Sequence, residues 1–227
     1  MKIKTKKQEV TILRRKIAKK ILLFVIMITC ILTIYFVYIF SKKQMMDPQI
    51  NFVVGNCLYR QSNSDQWQKA EVGIKIDKGY AFKTGPNSVM DLILQDNCAI
   101  RITSHSYLFL TDLNPTSIAI QIDSGEVYAK IKKLAKFQDF DVVTQTHTAS
   151  IRGTEFCTRL WDGKIDQLCV EGSIALYSHL KNAKPIVINN NQKSQIFKDG
   201  TVDTPKEMTI EEIQSIKKVI DSIQLNR

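Results

Sequence analysis

The chain has 227 residues, 44% of them apolar and 24% charged, with only 9 Gly and 5 Pro. Collagen-like and low-complexity architectures are excluded, and the length allows one domain with a sizeable core or at most two small ones. The formal charge of +10 suggests nucleic acid, but residues 1–20 carry +8 of it, from nine Lys and Arg against Glu9 alone; the remainder is nearly neutral and lacks the basic folded face a nucleic-acid-binding domain needs.

Behind that basic tail comes an apolar run, Ile21 to Phe40, without charge, Pro or Gly. At about 1.5 Å per residue it spans about 30 Å, the thickness of a bilayer's hydrocarbon core. Tyr35 and Tyr38 stand near its far end, where amphipathic rings favour the membrane interface. Nine basic residues precede the run and Lys42 and Lys43 follow it. The positive-inside rule then places the N-terminus in the cytoplasm and residues 41–227 outside. A cleaved signal peptide has an apolar core of about 7–15 residues and a small-residue cleavage site. This run is longer, and Ser41-Lys42-Lys43-Gln44 follows it. Ten further membrane-run residues beyond Cys30 also argue against a lipoprotein. An uncleaved single-pass anchor in the inner membrane is expected, with the bilayer as the partner of residues 21–40.

Residues 41–52 are polar and read as a stalk. From 53 to 200 the period becomes two. Apolar runs recur at Phe52–Tyr59, Tyr80–Thr84, Val89–Leu94, Ala99–Thr103, Tyr107–Thr111, Ile118–Ile122, Val127–Ile131, Phe140–Thr144, Thr154–Leu160, Ile165–Val170, Ile174–Ser178, Ile186–Ile188 and Lys193–Lys198. Turn signals stand between them, among them Gly85-Pro86, Asp96-Asn97, Ser124-Gly125, Asp162-Gly163 and Glu171-Gly172. The pattern predicts an all-β domain, a twisted solenoid-like or sandwich stack of short strands. Residues 205–227 are expected to form one amphipathic helix. Thr209 and Glu212 have capping-box spacing, and Ile213, Ile216, Ile220 and Ile223 share one face.

No enzyme signature is found. The chain has no nucleophile elbow, no phosphate-binding loop and no dinucleotide fingerprint, so no catalytic or cofactor-binding residue is assigned. His105, His147 and His179 lack metal-ligand neighbours and are expected at the surface or in caps. Asp77, Asp96, Asp123 and Asp162 sit in turn signals, where Asp commonly bonds its own backbone. Of five cysteines, Cys57, Cys98, Cys157 and Cys169 lie beyond the membrane run. None forms a Cys-x-x-Cys pair, so no metal site is expected. Alternation places Cys157 and Cys169 on one face, away from the apolar residues. A three-residue Asp162–Lys164 loop would set them opposite each other, and a Trp161–Gly163 loop diagonal, leaving a disulfide open.

Several ordered pieces are similar to one family. Trp67, Gly73, Lys78-Gly79 and Thr84-Gly85 open the series. Leu94-Gln95-Asp96-Asn97 follows, then Ile100, Ile102, Ser106 and Leu108. Next come Ser124-Gly125-Glu126-Val127 and Phe140-Asp141-Val142-Val143-Thr144-Gln145. The most specific piece is Ile151-Arg152-Gly153-Thr154-Glu155-Phe156, trailed by Val170-Glu171-Gly172-Ser173-Ile174. Together they resemble the FecR-type family, the extracytoplasmic sensor domain of ferric-citrate-type regulators. The resemblance implies an all-β domain and a non-enzymatic sensing or protein-binding role across the envelope. Physically these residues read as fold, with Gly153 and Gly172 suited to positive φ or a bulge and Thr154 and Phe156 pointing inward. Asn97 stands where the family has Gly, and Gln145 where it has Pro. Family regulators also carry a sigma-factor-binding cytoplasmic domain and a C-terminal receptor-docking domain. Here a basic segment of about 20 residues and one helix stand in those places. The expected function is envelope signal sensing or protein binding from the periplasm. The alternatives are a reduced sigma-factor regulator and an envelope structural or glycan-binding module.

Overall fold

The computed structural model describes residues 19–36, 47–95, 97–132, 139–181 and 183–225. The basic tail to residue 18, residues 37–40 of the membrane run, 41–46 of the stalk, Asp96 and residues 226–227 lie outside them. The chain divides into two units, residues 1–45 and 46–227.

In the first unit, helix α1 (Lys19–Phe36) has a mean hydropathy of 2.1 and is long and apolar enough to cross a membrane. Its two threonines need no outside partner. The Thr29 hydroxyl donates to Ile26 O at 2.8 Å and that of Thr33 to Cys30 O at 2.9 Å. A bilayer demands such internal satisfaction.

The second unit is mostly β-sheet, and strands make up 52% of the structure. Its strands are β1 (Gln49–Val54), β2 (Cys57–Arg60), β3 (Gln68–Lys69), β4 (Ala81–Thr84), β5 (Val89–Gln95), β6 (Cys98–Ile102) and β7 (Tyr107–Asn114). They continue with β8 (Ser117–Ile131), β9 (Asp139–Val143), β10 (His147–Trp161), β11 (Lys164–Ser178), β12 (Ile186–Asn189), β13 (Gln192–Ile196) and β14 (Lys206–Glu207); helix α2 (Ile210–Asp221) ends the domain. All the strands belong to one sheet. It folds on itself because the three long strands β8, β10 and β11 each serve two layers. The first layer runs β3-β2-β4-β7-β8-β9-β10-β11-β12, using the first halves of β8 and β10 and the second half of β11. The second runs β1-β5-β6-β8-β10-β11-β13-β14, using the other halves. The β8–β9 pairing is parallel and the other named pairings are antiparallel. The result is a sandwich whose two layers share strands.

Three expectations are corrected here. Ser124-Gly125 and Glu171-Gly172 are not turns. Both lie inside long strands, at φ 91° for Gly125 and 95° for Gly172, and a glycine bulge bends a strand without ending it. Phe52–Tyr59 is not one strand, because Gly55-Asn56 breaks it into β1 and β2, which enter different layers. The stalk and helix boundaries also move. Gln49–Phe52 of the expected stalk are already in β1, Lys206-Glu207 pair with β13, and helix begins only at Ile210.

The main core lies between the layers. Ile50, Met90, Leu92, Ile100 and Phe156 meet Phe82, Leu108, Ile120, Phe140 and Ile174 there. A second core lies on the outer side of the second layer. Ile93, Ala99, Tyr128, Cys157 and Leu168 are covered there by Ile216, Ile220 and Ile223 of the α2 segment. The capping box forms as expected: Glu212 N donates to Thr209 Oγ1 at 3.2 Å, and Thr209 N to Glu212 Oε2 at 2.8 Å. At the far end Asp91, 2% exposed, grips Arg101 through two hydrogen bonds of 2.6 and 2.7 Å, and Arg101 also donates to Ser222.

Glu212 also pairs with Lys193 on β13. That hydrogen bond, reinforced by Thr209 N–H, holds the Glu212 carboxyl below its ordinary value of 4.5. A depressed folded-state pKa contributes stability that is full above the unfolded value and lost as pH falls through the folded one. The difference in melting temperature between the native chain and Glu212→Gln should therefore be greatest near neutral pH and shrink below 4.5. A difference unchanged at about pH 3 would contradict this.

Candidate interaction surface

The motif residues close the fold. Thr84, Ser106 and Gly125 come from three separate pieces of the sequence and meet in one joint. Thr84 N donates to Ser106 O at 3.1 Å, Ser106 N to Thr84 Oγ1 at 3.0 Å, and Glu126 N to Ser106 Oγ at 3.0 Å. The Thr84 hydroxyl donates to Thr103 O. Gly125 lies directly on Ser106, and Gly172 on Thr154. Thr154 and Phe156 are both buried, as read from their alternation, while Arg152 is exposed. Apart from exposed Arg152, these side chains are taken up by packing within the domain.

The titratable residues fare similarly. His105 and His179 are exposed, as expected; His147 is not, being 2% exposed. It begins β10 and faces inward, with Nδ1 3.0 Å from Thr146 Oγ1. Burial, with His179 nearby, pushes its pKa below the ordinary value. The Asp77 carboxylate accepts Lys78 N–H at 2.7 Å within its own turn.

Cys157 and Cys169 do not share a face. The β10–β11 turn holds two residues, Asp162-Gly163, with Trp161 opposite Lys164. Cys157 then faces Leu168 in the second core, and Cys169 faces Phe156 in the first. A register one residue away from the expected one reverses every side chain, so both thiols are free and buried. Cys157 donates to Glu126 Oε1 at 3.4 Å, an atom that also accepts from Tyr128 OH at 2.9 Å and from Arg159. Burial, then the Glu126 charge, pushes the Cys157 thiol up, and burial lifts Cys169 to about 12. Neutral buried thiols are structural, not nucleophilic. No group of three His, Cys, Asp or Glu that could hold a metal occurs among the described residues.

A cleft of about 300 Å³ beside α2 is lined by Arg159, Asp166, Lys193, Asp203, Lys206 and Glu212. Its charges are already engaged: Lys193 with Glu212, Lys206 with Asp203 at 3.5 Å, Arg159 with Glu126, and Asp166 accepting from Gln195 Nε2 at 2.8 Å. The cleft offers no convergent free groups.

The outer face of the first layer differs. Register aligns Phe109, Gln121, Val143, Thr148 and Tyr177 in a row across β7, β8, β9, β10 and β11. Each is reachable by solvent, Tyr177 to 46%. At the β7 end the row meets a cluster of rings and cations. The Tyr107 and Phe109 centroids are 4.7 Å apart, and those of Trp67 and Tyr107 5.8 Å. Lys83 Nζ lies 4.4 Å from the Trp67 centroid and 5.0 Å from that of Tyr107, and the Arg60 guanidinium 5.4 Å from Trp67. Leu58 pairs with Lys83 on one side and Lys69 on the other. Sequence reasoning quoted Trp67 only as a motif residue and passed over Arg60, Lys83, Tyr107 and Phe109. The signal was Tyr107-Leu108-Phe109-Leu110, apolar in both phases. A strand with one face in the core and one in water alternates with polar residues; this one does not.

A family model described as FecR protein matches residues 80–175. No curated protein matches the chain. Two crystal structures of a candidate anti-sigma factor from Parabacteroides distasonis superpose with a TM-score of 0.51 at 11% identity. The match covers 60% of this chain and 63% and 62% of theirs, so the chain spans less than two thirds of those structures. At that identity the likeness is one of fold. The family match runs from β4 into β11. It takes in the Thr84–Ser106–Gly125 joint and the Thr154–Gly172 contact, and residues 80–175 of this chain are a FecR-type domain.

Proposed function

We propose that this protein is a single-pass inner-membrane protein that holds its FecR-type domain in the periplasm, where it binds a protein partner in envelope signalling and catalyses no reaction. One observation carries the reading. The domain spends its motif residues on its own joints, yet keeps one sheet face open to solvent while the opposite outer face is covered by α2. The apolar helix α1 supports a membrane anchor, and the charge excess before it supports the stated orientation. Residues 1–20, 21–40, 41–48 and 49–207 then serve as inner tail, anchor, spacer and sensor domain, braced by α2 (Ile210–Asp221).

The test is photo-crosslinking in cells, with the reactive residue placed at Gln121 or Val143 on the open face and at Lys217, exposed on α2, as control. Protein adducts are expected from the first two and not from the third. Adducts from none of them, or from Lys217 alone, would contradict the reading. The description of the two similar structures favours a second reading, a reduced sigma-factor regulator. A coherent set of sigma-dependent transcripts changing on deletion of residues 2–12 would put that reading first.

A further inference from the structure

We propose that the β2–β4–β7 end of the open face docks an acidic segment of the partner protein, with Lys83 and Arg60 as its anchors. The inference rests on the protein-binding reading and names the chemistry of the partner. Several surface cations elsewhere on the domain have carboxylate partners, Lys75 with Asp47 at 2.6 Å, Lys78 with Asp112 at 3.3 Å and Lys181 with Asp199 at 3.5 Å, whereas exposed Arg152, Lys164 and Lys198 have none among the described residues. Lys83 and Lys69 have none among the described residues, and Arg60 has only Asp65, 3.9 Å away with its side chain fully exposed. Three neighbouring cations thus stand nearly uncompensated on one part of one face.

They are also held in place. Trp67 and Tyr107 fix the Lys83 ammonium by cation–π contact, and Trp67 fixes Arg60. Ordering a long cationic side chain before binding removes a cost that association would otherwise bear. The arrangement favours a polypeptide over a glycan or a lipid surface. Trp67 is already engaged by two cations and by Tyr107, so it presents no bare plane for sugar stacking. The rings are half-buried and do not protrude as a membrane wedge would. Beyond the cations the row continues through Gln121, Val143, Thr148 and Tyr177 without a charge. At about 4.8 Å per strand this floor is roughly 20 Å long, enough for about six extended residues.

The chain contains two tryptophans. In a Trp161→Phe background of the full chain, kept in uncharged detergent, Trp67 becomes the sole reporter. Four probes are titrated: a peptide alternating Glu and Val, its counterpart with Gln for Glu, phosphatidylglycerol vesicles, and soluble peptidoglycan fragments. The acidic peptide should shift Trp67 emission saturably, more weakly at high salt, and the Gln peptide should not. Lys83→Glu should weaken the response about tenfold without changing the melting temperature. That variant keeps the basic tail of residues 1–20 intact, so its loss isolates this face. No saturable shift with the acidic peptide, a shift with vesicles or peptidoglycan fragments alone, or undiminished affinity in Lys83→Glu would overturn the inference. If the peptide fails while crosslinking from Gln121 and Val143 persists, the acidic chemistry falls and protein binding stands. If crosslinking fails as well, both fall.

Discussion

Replacing Phe156 by Ala should cost the domain about 3–5 kcal/mol. The ring is fully buried between the layers, at an edge-on angle of 64° and 6.1 Å from Phe140. It stands where β10 leaves the first layer and enters the second, opposite buried Cys169. Both neighbours are held by sheet hydrogen bonds, so the site cannot collapse around the missing ring, and the cavity adds to the lost transfer energy. Phe109→Ala is the comparison, since its ring lies on the half-exposed outer face. Denaturant unfolding of the full chain in detergent should show a large midpoint drop for the first and a much smaller one for the second. Equal midpoints would place the Phe156 ring outside the core.

Gly125→Ala should be comparably severe, at about 2–5 kcal/mol. A φ of 91° already disfavours any L side chain, by about 1–2 kcal/mol. A methyl group there would fall inside the contact radius of Ser106 Oγ and of Ser106 Cα. Ser106 cannot withdraw, because it is 3% exposed and its Oγ accepts Glu126 N–H while its N–H is held by Thr84. Overpacking of that kind adds about 1–3 kcal/mol. The measurement is the same unfolding curve, with Gly73→Ala as control, since a methyl group there meets nothing within 4 Å although φ is 90°. That control isolates backbone strain from the clash. If Gly125→Ala and Gly73→Ala lose the same stability, the Thr84–Ser106–Gly125 joint carries no packing energy.

What was legible depended on whether the deciding interaction is local. The α2 cap needed only Thr209 and Glu212 three residues apart, and the stripe of Ile216, Ile220 and Ile223 followed from helical period. Most strands showed in the alternation of their residues. Register showed less plainly. Whether the β10–β11 turn takes two residues or three decides which core each cysteine enters; Asp162-Gly163, at φ 49° and 73°, carries the local signature of a two-residue turn, and reading three residues there put both thiols on one face. Gly125 and Gly172 have the same local appearance as turn glycines; only the ladders that continue on both sides of them place them inside strands, next to register shifts. The Asp91–Arg101 pair was invisible because ten residues separate its members and β5–β6 pairing brings them face to face. The open face was hidden for another reason. Its residues come from eight strands, and only the fold order sets Trp67 and Lys83 beside Tyr107.

The most direct test of a domain held outside the membrane by its N-terminal helix is a pair of reporter fusions placed after Arg227. One reporter is active only in the periplasm and the other only in the cytoplasm. The positive charge before Ile21 predicts that the first is active and the second silent. A silent periplasmic reporter with an active cytoplasmic one would reverse the orientation and contradict the envelope-sensing account.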